Sequence, residues 1–547
     1  MSEHVQRWAE RDPARVCLAF HAGESTTDRL TYADLARRSS AHARLFASRG
    51  LRPGDAVILF AHSSPGFVAA FLGAQEAGLL PVPCPPPEPL ESARRVRERM
   101  REIVARCVGR ALYDPASAAL DDELRVGLEG AGVPVLVERD VEAAAGASAP
   151  PAARHALSYC QFTSGSGGRA KGVLLTHENV AANIRAMAGW FGSSPDEVPV
   201  TWLPLYHDMG LVAYTLMPLV TGQTAHVMST LAFIARPVSW LALMTRVRGT
   251  LASAPNFAYA LCARKASDED VAALDLSAWR VACNGSEPVT RAAVEAFCRR
   301  FAPCGFRPSV LLPCYGLAEN TLCATSRRPG EGAQFEEIDR AALEQEDAAR
   351  PAAGGVTVAS VGWVLSEQDV SVVDRNGQAV GDRKVGEVVI RGDSVMHGYL
   401  PGTEGEVALS ADRALSTGDL AYRADGQLYL VGRKKDLIIR AGRNHYPQDI
   451  EDALTGVPGL RPGRVVAFSA PGGDAERVVV AAERADDLEA DLRALRAAMR
   501  DAIVAATRVV PDDIVLLPRN TLPLTSSGKV MRPEARRLFL TGAWDGR

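Results

Sequence analysis

Between Phe162 and Gly172 the chain reads Phe-Thr163-Ser164-Gly165-Ser166-Gly167-Gly168-Arg169-Ala170-Lys171-Gly. Small, hydroxyl-bearing residues at this density let backbone N–H groups close around phosphate oxygens, and the lysine adds a compact positive charge. The G-x-x-x-x-G-K-[ST] spacing of the common ATPase loop is not met, so phosphate binding here would take a different form. A Gly/Ser turn with one lysine is also the composition of plain surface, and more often is plain surface. A second candidate is Glu319, at the end of Tyr315-Gly316-Leu317-Ala318-Glu319. A lone carboxylate suits Mg2+, which keeps most of its waters and shares phosphate oxygens. A surface ion pair is the competing explanation.

The elements that must position these residues can be read in outline. A strand is expected over Leu157 to Phe162, just before the glycine-rich loop. Val180, Ile184, Met187 and Phe191 recur at helical spacing, which predicts a helix starting near His177, close to the loop. Upstream, the strand-like Ala56 to Ala61 and the helix-like Gly66 to Ala77 are followed by the proline-punctuated Leu79 to Cys84, an order that favours a parallel α/β sheet. Stretches rich in Pro, Ala and Gly at Ala143 to Ala153 and Arg350 to Gly355 read as loops. A boundary falls near Arg433 to Leu437. Beyond it, strands at Arg464 to Phe468 and Arg477 to Ala482 and a helix marked by Leu488, Leu492, Leu495 and Met499 make a small α+β unit. The fold class is therefore α/β, with parallel-rich sheets and helices in an N-terminal domain (1–435) and an α+β C-terminal domain (436–547).

Composition excludes several function classes. At 547 residues there is room for a large core and more than one domain. Apolar residues at 47% and charged residues at 23% exclude a disordered chain. A net charge of −4 with no Lys/Arg block argues against nucleic acid as a partner. Leu211 to Val220 is the best apolar run, yet it is short and holds Pro218, so no membrane span is expected. The N-terminus carries acids and lacks the apolar core of a secretory signal. Ten cysteines without a C-x-x-C pair read as reduced, buried thiols of a cytoplasmic protein, and the ten histidines lack metal-ligand spacing.

Further motifs follow the loop in order: Trp202-Leu-Pro-Leu-Tyr206-His207-Asp208-Met209-Gly210, Asn284-Gly285-Ser286-Glu287-Pro288, Tyr315 to Glu319, Ser416-Thr417-Gly418-Asp419, Gly432-Arg433-Lys434-Lys435-Asp436, and Thr525-Ser526-Ser527-Gly528-Lys529. This ordered set resembles the acyl-adenylate-forming superfamily, which includes acyl-CoA ligases, peptide-synthetase adenylation domains, luciferases and fatty acyl-AMP ligases. The resemblance runs from Leu30-Thr-Tyr-Ala-Asp-Leu to Lys529. It implies a large N-terminal domain closed by a small mobile C-terminal lid, with ATP and Mg2+ required.

The resemblance also implies roles. Thr163, Ser164, Gly165, Ser166, Gly168 and Lys171 would hold the β- and γ-phosphates, and Glu319 the metal. Gly285, Ser286 and Glu287 would line one side of the adenine, with Tyr315 and Gly316 on the other. Asp419 would accept the ribose hydroxyls with Arg433 in support, although Thr-Gly-Asp is also good turn chemistry. Lys529 would reach both the substrate carboxylate and the α-phosphate as charge develops. Asp436 matches the hinge of the lid. His207 and Met209 fall at the mouth of the acyl pocket, where a packed core histidine is the alternative.

Within the superfamily, three stretches resemble the fatty acyl-AMP ligase branch: Arg443-Asn-His-Tyr-Pro-Gln-Asp-Ile-Glu451, the Pro-rich Pro81 to Pro89, and the excursion between Glu319 and Ser360 that contains Ile338 to Leu343. The last resembles the insertion that separates this branch from acyl-CoA ligases; a surface helix without effect on the reaction is the alternative. The branch implies activation of a fatty acid and transfer of the acyl group to the phosphopantetheine thiol of a separate acyl carrier protein. An acyl- or aryl-CoA ligase is the second possibility, and a degenerate nucleotide-binding paralogue the third. Gly167, Ala170 and Trp363 depart from the pattern, standing where Thr or Ser, Pro and a basic residue are usual.

Overall fold

The structure is a computed structural model. It describes residues 1–547 except 24, 61, 87–92, 108, 115–121, 145–154, 164–170, 402–411, 441–442, 473–475, 486–491, 525–528 and 545–547. The α/β class is as expected. Leu80–Cys84, Ala56–Phe60, Gly109–Tyr113 and Val135–Leu136 form a four-stranded, all-parallel sheet. Every residue of Ala56–Phe60 is buried, as a parallel strand covered on both faces requires. A second sheet sets Leu251–Ala254, Val281–Asn284 and Leu311–Gly316 in parallel, then adds Cys323–Ser326 and Trp363–Val364 antiparallel. A third, antiparallel sheet is built from Gln368–Val373, Gly386–Gly392, Leu415–Ala424 and Gln427–Arg433.

Helices start where local chemistry provides a cap. In the Leu30-Thr-Tyr-Ala-Asp motif, Thr31 and Asp34 form a reciprocal capping box on the helix Tyr32–Ser48, an arrangement worth about 1 kcal/mol. Thr176 and Asn179 do the same for His177–Phe191, which ends on Gly192 in the left-handed region. The helix begins at His177, as the spacing predicts. The strand Lys171–Thr176 lies between it and the glycine-rich loop and pairs antiparallel with Leu157–Thr163. Residues 164–170 thus lie, in sequence, between two strands. The physical reason is in Gly-Val-Leu-Leu, an apolar run buried throughout in the strand.

Residues beyond Ile438 carry their own hydrophobic clusters. One gathers Ile450, Leu454, Val480, Met499 and Ile503. The other gathers Val466, Phe468, Val479, Leu517 and Trp544 on the opposite face. They sandwich a three-stranded sheet of Leu460–Ala470, Arg477–Arg484 and Asp513–Leu517, between the helices Pro447–Asp452, Leu492–Thr507 and Arg532–Leu540. Among the described residues no helix is long and apolar enough to cross a membrane. All ten cysteines are free thiols; Cys298 and Cys314 are half-buried and the rest buried.

Candidate active site

The ends of these sheets meet at a cleft of about 2880 Å³. Its floor is the turn after the strand Val281–Asn284. Gly285 passes so close to the next strand that a Cβ would lie 2.8 Å from Cys314 Sγ and 2.9 Å from Cys314 O. Ser286 then adopts φ +71°, a conformation costly for a residue with a side chain. Glu287 accepts the Phe257 N–H at 2.5 Å. The adjoining strand delivers Tyr315, then Gly316, where a Cβ would sit 1.7 Å from Leu322 O, so no other residue fits.

Tyr315 donates its phenol O–H to Asp419 Oδ2 at 2.7 Å, and Arg433 Nε donates to Asp419 Oδ1 at 2.9 Å. Asp419 and Arg433 are register partners across a hairpin, which is why their side chains meet. Asp419 is 7% exposed. A carboxylate offers about four lone-pair sites, so two bonds leave it able to accept more. Burial and the Asp419 charge push the Tyr315 phenol well up, keeping it a donor.

Lys529 comes from the far end of the chain. Its ammonium donates to both the carbonyl and the hydroxyl of the strained Ser286. Burial lowers its pKa below that of an ordinary lysine, while the charges of Glu287 and Asp208 pull it back up. Burial likewise raises Glu287, and Lys529 and the Phe257 N–H oppose that rise. The preceding residues 525–528 lie outside the described residues, but Leu524 and Val530 bridge, closing the loop that presents the lysine.

At the glycine-rich loop, Thr163 and Lys171 face each other in register across its base. Ser164, Gly165, Ser166 and Gly168, with Gly167 and Ala170, lie outside the described residues. Lys171 is buried, its Nζ 5.0 Å from the centroid of the Tyr399 ring. The Tyr399 O–H in turn donates to Glu319 Oε1 at 2.7 Å. Glu319 sits in the short turn Ala318–Asn320, and the next residue, Thr321, has φ +63°, an outlier for a β-branched side chain. Among the described residues no group of three His, Cys, Asp or Glu side chains could cage an ion. A single carboxylate with one oxygen tied to Tyr399 therefore fits a metal that brings its own waters and shares phosphate oxygens.

Large apolar side chains line another stretch of the cleft. Trp202, Tyr206, Phe233, Phe257 and Leu261 line the cleft, and His207 and Met209 stand outside those walls. The His207 ring turns to Asp208, with Nδ1 2.5 Å from Oδ1. Asp208 also accepts the Met209 N–H at 2.7 Å and caps the π-helix Met209–Leu216. Burial disfavours the Asp208 carboxylate, but His207, the Met209 N–H and Lys529 together hold its pKa below the usual value.

Asp436 is fastened within the C-terminal unit: Arg532 donates to it at 3.0 Å and to Glu451 at 2.7 Å. The excursion after Glu319 is more than surface. Its helix Arg340–Glu346 touches the C-terminal unit through Arg340 on Asp449 at 2.7 Å and Glu344 beside His445 at 3.4 Å. Asn444 adds a bond to Asp347 at 3.2 Å, and Leu343 packs in one cluster with Tyr446. Burial raises the Asp449 carboxyl, opposed by Arg340. Trp363 is flanked by two guanidinium groups, Arg327 at 4.9 Å and Arg328 at 4.6 Å from its ring. Positive charge thus lies beside the position even without a basic residue at it. Tyr399, Arg532 and Arg340 are not marked by the sequence, and Asp208 is marked there only as part of the Tyr206 to Gly210 motif. Only the run Met396-His-Gly-Tyr399, an aromatic directly after a glycine, hinted at the first.

Residues 5–400 match the family of AMP-binding enzymes. The chain belongs to that family. It is 35% identical to a Caulobacter vibrioides protein carried under the provisional name acyl-CoA synthetase, over 94% of this chain and 91% of that protein. It is 32% identical to the medium-chain-fatty-acid–[acyl-carrier-protein] ligase JamA of Moorena producens, covering 96% and 92%. A solved structure from work on fatty acyl-adenylate ligases of E. coli and L. pneumophila superposes with a TM-score of 0.89 at 33% identity, over 99% of this chain and 97% of that one. The two-domain adenylate-forming fold is therefore the fold of this AMP-binding enzyme.

Proposed function

We propose that this enzyme activates a fatty acid with ATP, forming acyl-AMP and releasing pyrophosphate, and then passes the acyl group to the phosphopantetheine thiol of a separate acyl carrier protein. The observation that carries the reading is the placement of Lys529. A cation from the C-terminal unit enters the cleft at Ser286, where Tyr315, Asp419 and Arg433 also converge. In the first step a carboxylate oxygen bonds to the α-phosphorus and the bond to pyrophosphate breaks. Two anions must approach, so the site has to supply positive charge and alignment.

In this reading Lys529 leaves Ser286 for the carboxylate and α-phosphate, and its charge acts where negative charge develops. Lys171 and the loop Thr163 to Gly168 hold the departing phosphates. Gly285, Ser286 and Glu287 frame the adenine opposite Tyr315 and Gly316, and Asp419, steadied by Arg433, takes the ribose hydroxyls. Mg2+, when bound at Glu319, would offset phosphate charge. His207 and Met209 flank the mouth of the acyl pocket, with Asp208 between them. In the second step the thiol sulfur bonds to the acyl carbon and AMP departs. The lid is the segment 436–547, turning at Asp436, and the cellular setting is the cytoplasm.

Transfer to a carrier rather than to free CoA is supported by the Arg340–Glu346 helix, whose Arg340–Asp449 ion pair ties it to the C-terminal unit that carries Lys529. The test is pyrophosphate release with ATP, Mg2+ and fatty acids of graded length. Acid-dependent release with acyl-AMP as the co-product is expected, and no release with any acid would overturn the reading.

A further inference from the structure

One side chain bridges the two halves of the phosphate site. Tyr399 lies on the short strand Gly398–Tyr399, which pairs antiparallel with Lys171–Thr176 and sets Tyr399 opposite Val173. Its O–H binds Glu319 and its ring faces the Lys171 ammonium. The two contacts are of different kinds: the first needs the hydroxyl and the second only the ring.

The backbone here does not depend on the tyrosine side chain. Met396 N–H donates to Glu319 O at 2.8 Å, His397 N–H to Leu174 O at 2.9 Å and Leu400 N–H to Gly172 O at 2.8 Å. The Thr321 hydroxyl donates to Ser394 O at 2.8 Å. The segment thus straps the turn of Glu319 to the strand of Lys171 by main-chain bonds. Tyr399 is left with no evident task in the fold that phenylalanine could not perform. Burial and the neighbouring Glu319 charge push its phenol well above the usual range, so it donates at any working pH.

We propose that Tyr399 is a positioning residue: its hydroxyl orients the Glu319 carboxylate for the metal that accompanies ATP, and its ring supports Lys171 for the phosphates. This rests on the reading that ATP binds in this cleft. The terminal torsion of a glutamate is broad and soft, so without a fixed donor the carboxylate swings among partners and presents the metal with a poorly defined oxygen. A cation over an aromatic face is attracted by the ring quadrupole, which steadies the ammonium without neutralising it as a carboxylate would.

The experiment is calorimetric titration of ATP into the full-length protein, once in excess Mg2+ and once with the metal chelated, for wild type, Tyr399→Phe and Tyr399→Leu. A hydrogen bond to a charged group corresponds to about a tenfold change or somewhat more. Tyr399→Phe should therefore weaken ATP binding about tenfold in Mg2+ and by less than about twofold without it. Tyr399→Leu should weaken both, because the ring is gone as well. Matching melting curves for the Phe variant check the fold. Equal loss in both conditions, or no loss in either, overturns the role of Tyr399. Failure of the wild type to bind ATP in either condition overturns the ATP reading itself.

Discussion

Replacing Lys529 with alanine is the sharpest perturbation of the chemistry. The ammonium is half-buried beside Glu287, Asp208 and the oxygens of Ser286, and it is a charge that the C-terminal unit brings into the cleft. Removing one preorganised donor from a site of developing charge costs about 10²–10³ in rate. Here the loss also leaves Glu287 and Asp208 without their shared cation, facing two incoming anions. The expected fall in kcat for acyl-AMP formation is therefore near the upper end, about 10³-fold or 4 kcal/mol. ATP affinity should change by less than about threefold, because Asp419, Tyr315 and Lys171 are untouched. The assay is pyrophosphate release beside calorimetric ATP binding. Turnover above about a tenth of wild type would refute the reasoning. The sign of the pH effect follows as well. The protonated lysine is the working form and burial lowers its pKa, so activity is lost on raising pH earlier than an exposed lysine would allow. Glu287→Gln removes the largest charge opposing that shift, so the alkaline limb should move further down in pH.

Other outcomes follow from the same geometry. Arg340→Ala breaks a 2.7 Å pair with Asp449; orphaning a buried carboxylate costs about 3 kcal/mol, less here because Arg340 is 26% exposed. The C-terminal unit should loosen and the share of acyl-CoA formed from excess CoA should rise several-fold; an unchanged ratio would remove the helix from the account. Asp419→Ala should raise the KM for ATP at least about tenfold while sparing the KM for the acid, as steady-state kinetics can show. His21 and His226, 2.9 Å apart, both have pKa values lowered to about 4, by burial first and then by neighbouring charge. Below about pH 6.5 the unfolded chain takes up protons that the folded pair refuses, so the contribution to stability present above that pH is lost between about 6.5 and 4. His226→Phe should flatten the melting temperature over that interval, measured by thermal denaturation.

The cleft residues were legible because they sit in short motifs whose order survives folding. Tyr315, Asp419, Arg433 and Lys529 were chosen by motif, and the structure brings them to one place across more than 200 residues. What lay hidden was set by long-range packing. Nothing near Tyr399 in sequence announces Glu319, 80 residues away, and Arg532 meets Asp436 only because the strands and helices between Ile438 and Leu517 fold between them. The positive φ of Ser286 and Thr321 is equally unreadable, since neither residue type favours it. Periodicity found the helix at His177 yet missed the strand before it, because Lys171-Gly-Val-Leu-Leu-Thr lacks the alternation of a half-exposed strand when all of it but Thr176 is buried. The excursion after Glu319 was seen as an insertion, but its grip on Asp449 and His445 depends on where the C-terminal unit docks.

The most direct test is mass spectrometry of the products formed from ATP, Mg2+, a medium-chain fatty acid and excess CoA. Acyl-AMP accumulating with little acyl-CoA is the predicted result, and it would justify a search for the carrier protein. Abundant acyl-CoA would contradict the account and place this AMP-binding enzyme among the CoA ligases.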